Sequence, residues 1–270
     1  MMHRHPYWIW PFPIPTAWRK AAGRFIDLAE PCCRHQRWIG TAILIGVLPV
    51  VGSYWLSVKG HQLISAILLT VVCLYSIRIN AWPQGMATLA LAYLFHSLVV
   101  ILFSIHDPQG MALVLPDAEA YWKKSWAWIQ TGYEPEYQLA NWVPAHFLLL
   151  GAAIVFGYTS LGSIIFFQGF YEVDLMNYYN AQLIGVSTNR WLALVLGWHL
   201  WSILRGCGYL FITYEVTAWS FRQLTEATHP PDTSRRLRIA AGIGCLIADG
   251  LVKATLMECV RTHMFLNLKP

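Results

Sequence analysis

Four stretches of this chain carry no Asp, Glu, Lys or Arg: residues 38–58, 60–77, 79–106 and 137–171. The hydrocarbon core of a bilayer is about 30 Å thick, and a helix rising about 1.5 Å per residue needs about 20 apolar residues to cross it. Lipid offers no hydrogen bonds to the backbone, so such runs cross as helices that satisfy their own N–H and C=O groups. A 270-residue chain with so many of these runs reads as all-α, a multi-pass transmembrane helical bundle.

Composition supports this. Hydrophobic residues make up 56% and charged residues 12%, against about 25% charged in soluble proteins. The 14 tryptophans suit a membrane interface, where the ring is buried and the N–H stays wet. The net charge of +5 comes without a dense basic face or a nucleic-acid reader motif, so no nucleic-acid partner is expected. The basic residues are read as orienting the chain and touching anionic membrane lipids. The cysteines, Cys32, Cys33, Cys73, Cys207, Cys245 and Cys259, have no metal-ligand spacing, and no metal site is read from the sequence.

Residues 1–37 form a cytosolic or interfacial segment. Pro6, Pro11, Pro13 and Pro15 interrupt the apolar run that a signal peptide would need. In 16–30, Trp18, Ala22, Phe25, Ile26 and Ala29 fall on one helical face opposite Arg19, Lys20, Arg24, Asp27 and Glu30. That pattern predicts an amphipathic helix lying on the membrane, or on a partner subunit. Residues 38–106 hold three transmembrane helices, near 38–57 (kinked at Pro49), 61–78 and 84–105 after a turn at 80–84.

Residues 107–136 form an acidic and aromatic loop. Asp117 is expected to cap a short helix there, with Trp122, Trp126 and Ile129 resting on the membrane surface. Residues 137–270 form the C-terminal bundle. The run 137–171 would be about 52 Å long as one helix, so it projects from the bilayer or breaks near 157–162. A further span is expected at 191–221. The last, 239–258, is interrupted by Asp249, Lys253 and Glu258, where Asp249 and Lys253 at i, i+4 can neutralise each other. The total is about six membrane segments.

Six basic residues before the first span, Arg4, Arg19, Lys20, Arg24, Arg34 and Arg37, place the N-terminus in the cytosol and the 107–136 loop outside. With five simple spans the basic loop 222–238 would lie outside. A broken or re-entrant element in 157–188 returns it to the cytosol.

Ionisable residues inside a membrane are expensive, at about 2.5 kcal/mol or more for a charge on insertion scales, and mark candidate sites. Arg205 leads, with Glu215, Asp249, Glu172 and Asp174 as possible acidic partners. These residues form a substrate or proton path, or else an interhelical ion pair. His96 and His199 are two mid-membrane histidines on different helices. They are candidate ligands of a b-type haem, the one cofactor considered, or a proton relay; otherwise each bonds a neighbouring helix. His146 reads as interfacial. Gly206, Gly208, Gly242, Gly244 and Ala248 form small-residue faces for close helix packing.

Motifs of soluble enzyme classes, among them G-x-S-x-G, H-E-x-x-H and the Walker A loop, are absent from the sequence. The first functional expectation is therefore a non-enzymatic inner-membrane subunit of a larger assembly, with other membrane subunits as partners. The alternatives are a small-solute or ion transporter using Arg205, and an intramembrane enzyme acting on a lipid or membrane-linked substrate.

Overall fold

The computed structural model describes residues 38–133, 139–225 and 234–269. The amphipathic helix expected at 16–30 lies outside these residues, as do Glu134 and Glu136 of the acidic loop. Within them the chain forms ten helices: α1 (Trp38–Leu56), α2 (His61–Arg78), α3 (Trp82–His106), α4 (Pro108–Val114), α5 (Ala118–Thr131), α6 (Leu139–Thr159), α7 (Ser163–Val186), α8 (Arg190–Gly197), α9 (Leu200–Thr225) and α10 (Arg235–Leu266). Five of them are long and apolar enough to cross a membrane: α1, α2, α3, the 141–159 part of α6, and α10. The protein is thus an all-helical chain compatible with a multi-pass membrane protein.

Local chemistry sets the helix boundaries. Pro83 occupies the first turn of α3, where its missing N–H is no loss. The Asp107 carboxylate accepts the Gly110 N–H at 2.9 Å and caps α4. Asn189 caps α8 in the same way through the Leu192 N–H at 3.1 Å. Between α6 and α7 the chain reverses through Leu161 (φ 55°) and Gly162 (φ 88°). Gly162 reaches that left-handed conformation without a Cβ penalty. The long uncharged run therefore breaks into two helices.

Contacts along the helices give their directions. Gly46 of α1 packs so closely on α3 that a Cβ would stand 2.5 Å from the Ala92 carbonyl oxygen. The Tyr54 hydroxyl, further along α1, donates to Asp107 at 2.9 Å, so α1 and α3 run parallel. Tyr93 of α3 stacks on Phe170 of α7 at 4.3 Å, with the same polarity. α9 and α10 are antiparallel: Gly208 faces Gly242 backbone to backbone, and Arg205 meets Asp249. Ser220 Oγ donates to the Tyr158 carbonyl at 2.6 Å, joining α9 to α6. The main core, with Ala42, Leu69, Leu89, Phe166, Phe170 and Tyr214, draws on α1, α2, α3, α7 and α9.

Three sequence expectations change. The span expected at 191–221 is two helices, because α8 ends at Gly197 and α9 begins at Leu200. Asp117 sits at φ 61° without a side-chain cap bond; its carboxylate instead accepts the Tyr171 hydroxyl at 2.9 Å. The α5 stripe turns partly to protein: Ile129 is buried with Tyr179, Leu183 and Met264 and Trp122 packs against them, while Trp126 stays half-buried outside that cluster.

Candidate metal centre

The most buried polar cluster joins α2, α3 and α7. His61 opens α2, and Gln62 follows it. His96 lies ten residues, about 15 Å, from the His106 end of α3, and Asp174 lies midway along α7. His61 and His96 have no solvent exposure, and Asp174 has 1%. Asp174 Oδ1 stands 2.6 Å from His96 Nε2. Its Oδ2 stands 2.9 Å from His61 Nε2 and accepts Gln62 Nε2–H at 2.7 Å. The imidazole centroids are 5.6 Å apart, and His96 lies 4.7 Å from the Phe170 ring.

The fold places each group for a reason. The Gly46 contact reaches the His96 backbone nitrogen as well as Ala92, so α1 sets the depth of α3 at this histidine. Asp174 follows Phe170 by one turn of α7, and the Tyr93–Phe170 stack fixes the rotation of that turn. An apolar layer closes one side of the centre: Met111, Val114, Leu115 and Ala118 pack against Val50, Val100, Leu175 and Tyr178.

One ligand atom from each of His61, His96 and Asp174 falls within 4.8 Å of the others. With protons on both Nε2 atoms, these contacts are hydrogen bonds to a shared carboxylate. With lone pairs there, the spacing approaches that of neighbouring ligands around one ion, about 3 Å for donors held about 2.1 Å from it. Two imidazoles and one carboxylate form the ligand set of zinc and of non-haem iron sites that keep further positions open. Gln62 supplies the outer bond that orients a ligating carboxylate. Both Nδ1 atoms are buried without a hydrogen-bond partner, so the histidines lack the outer-shell acceptor that ligating imidazoles usually have.

The other charged candidates do not converge here. Arg205 holds Asp249 through two bonds, Nε to Oδ2 at 3.0 Å and Nη2 to Oδ1 at 3.2 Å. His146 Nε2 stands 3.7 Å from the same carboxylate, so His146 belongs to an ionic cluster. Glu215 is buried against Arg238, which also lies over the Trp82 ring at 4.9 Å. Glu172 is exposed on α7 and accepts Gln168 Nε2–H at 2.7 Å. His199 stacks on Trp201 at 4.4 Å, beside Trp128 and Tyr179. The structure therefore does not bring His96 and His199 together.

Of the three candidate ligands, sequence reasoning singled out His96 and Asp174 separately and missed His61. Its one signal was a histidine followed by glutamine at the head of an uncharged run, where two polar side chains need buried partners. Comparison with known proteins gives no match to a family model, to a curated protein or to a solved structure.

Proposed function

We propose that this chain is an inner-membrane transporter of a divalent transition-metal ion, with His61, His96 and Asp174 as its binding ligands. One observation carries the reading: three ligand-type side chains from three helices meet, fully buried, inside an apolar bundle. Membrane transporters bind their substrates near the bilayer midplane, between helices that can separate. In this reading α7 and α9 also cross, making seven crossings, and the basic residues Arg222, Arg235 and Arg236 lie on the cytosolic side with the N-terminus.

Purified protein in lipid nanodiscs tests the binding step. Wild type should retain about one Zn2+ or Co2+ per chain after dialysis, read by elemental analysis, and bound Co2+ should show visible ligand-field bands. Asp174→Asn and His96→Gln should lose both signals while eluting as folded protein. Zinc uptake into proteoliposomes, abolished by the same variants, then tests transport. Equal metal retention by wild type and Asp174→Asn would overturn the reading.

Membership in a larger assembly is the second reading. A Cβ added at Gly206 or Gly244 meets no neighbour, so these glycines leave close-approach surfaces on α9 and α10. Gly244→Leu stripping partner proteins during detergent purification would favour it, and an unchanged set of co-purifying proteins would count against it.

A further inference from the structure

α4 stands between the metal centre and a surface cavity, and it is held there at both ends in the same way. Met111 and Val114 of α4, then Leu115 and Ala118, are all at most 1% exposed. They pack with Val50, Val100, Leu175 and Tyr178. Val100 follows His96 by one turn of α3, and Tyr178 follows Asp174 by one turn of α7. Val50 follows Gly46, the α1 contact of His96, by one turn as well. The apolar layer over the centre is therefore about one turn thick on each helix.

On the other side of the centre the packing runs deeper. Phe170 and Phe166 lie one and two turns before Asp174, and Ala92 and Leu89 lie one and two turns before His96, all in the main core. The thin side is the one that meets open space. A cavity of about 530 Å3 is lined there by Gln109, Leu113, Leu115, Asp117, Ala118 and Glu119. Leu115 and Ala118 thus belong both to the cavity wall and to the layer. The two carboxylates on this wall favour a cation over an anion.

Two aspartates flank α4, and each accepts a tyrosine hydroxyl from the bundle. Tyr54 of α1 donates to Asp107 at 2.9 Å, and Tyr171 of α7 donates to Asp117 at 2.9 Å. The second bond is solvent-exposed, where water competes and the net contribution of a hydrogen bond is small. Asp117 also holds a left-handed backbone, φ 61°, which is uncommon outside glycine. Past this point α5 is fixed: Ile129 is buried, and its carbonyl accepts Arg261 Nη1–H at 3.1 Å.

We propose that α4 is a gate over the metal centre, an inference that rests on the metal-binding reading of His61, His96 and Asp174. With both tyrosine bonds made, the layer keeps water and ions from the centre. When they release, α4 lifts about Asp107 and Asp117 and joins the centre to the cavity. Ser104 supports this route. It lies two turns beyond His96 on the same face of α3, fully buried, and its hydroxyl has no hydrogen-bond partner among the described residues. Buried hydroxyls nearly always have one, and water entering with the ion supplies it.

Stopped-flow mixing of the full chain in nanodiscs with Co2+ tests the gate. Growth of the ligand-field bands gives the association rate, and their decay in excess chelator gives the release rate. Tyr54→Phe combined with Tyr171→Phe keeps both rings and leaves the Gly110 N–H cap of α4 in place. It should raise association and release together by about tenfold, the scale of two lost hydrogen bonds, and leave the Co2+ affinity unchanged. Either single variant should give a smaller rise. Unchanged rates in the double variant, with wild type binding Co2+, would overturn the gate and leave the metal centre standing. A lower affinity at an unchanged association rate would also overturn it, because the tyrosines would then support the centre rather than cover it. Wild type without cobalt bands would overturn the metal centre and the gate with it.

Discussion

Asp174 and Asp249 are both fully buried carboxylates, yet their surroundings differ. Asp174 sits in the tightly packed half, beside α2, of which 67% is buried. Its partners are two imidazoles and an amide, all enclosed by protein. Asp249 sits in the half built from α6, α9 and α10, and its main partner Arg205 keeps 28% of its side chain exposed. In the first half protein alone defines the geometry. In the second the cation is long and flexible and keeps part of its side chain outside the packing. The lesson is that burial of the acid does not by itself tell how rigid its site is; exposure of the partner does.

Removing each acid should separate the halves most strongly. Asp174→Ala leaves His61, His96 and Gln62 enclosed without their acceptor, at a cost of about 3–5 kcal/mol. Asp249→Ala should cost less, about 1–2 kcal/mol, because the Arg205 side chain is 28% exposed and can relax out of the packing. Removing Arg205 as well should restore part of that loss. Melting temperatures in nanodiscs would show the order, and equal losses would break the comparison.

A smaller contrast comes from identical apolar truncations. Leu69, with no exposure in the main core, should lose about 2–5 kcal/mol as Leu69→Ala. Leu148, 77% exposed on α6, should stay within about 0.5 kcal/mol as Leu148→Ala. A large loss at Leu148 would mean that protein, not lipid, covers that face.

The smallest effect belongs to the cap between α3 and α4. The Gly110 N–H, then the Tyr54 hydroxyl, hold the Asp107 carboxyl below its usual range. A depressed carboxyl stabilises the fold at pH above its ordinary value, and the contribution fades as pH falls through the folded-state value. The α4 cap should therefore loosen on acidification, lowering the melting temperature by about 2 °C. Asp107→Asn should remove that acid-dependent step, and a persisting step would assign it elsewhere.

Much of the architecture was legible from charge-free runs alone. The boundary at Arg78 was read from the charge that ends the apolar run, and the break near 157–162 was one of the two alternatives left open for 137–171. The split of 191–221 was not read, since the break before His199 carries neither proline nor charge of its own. The burial of Ile129 on α5 was not read, because an apolar stripe looks alike against lipid and against protein.

At the site, His96 and Asp174 stood out as polar groups in apolar surroundings, but their pairing did not. Residues 61, 96 and 174 are separated by tens of positions, and only helix rotation and depth make them neighbours. By itself, the sequence determined that the chain is helical, with several runs long and apolar enough to cross a membrane, because length and the absence of charge decide that before any contact forms. Only the tertiary structure decided that Arg205 joins Asp249, that Glu215 joins Arg238 and that His61 enters the centre. Those pairings depend on which helix faces lie together, which the tight contact at Gly46 and the stack of Tyr93 on Phe170 set.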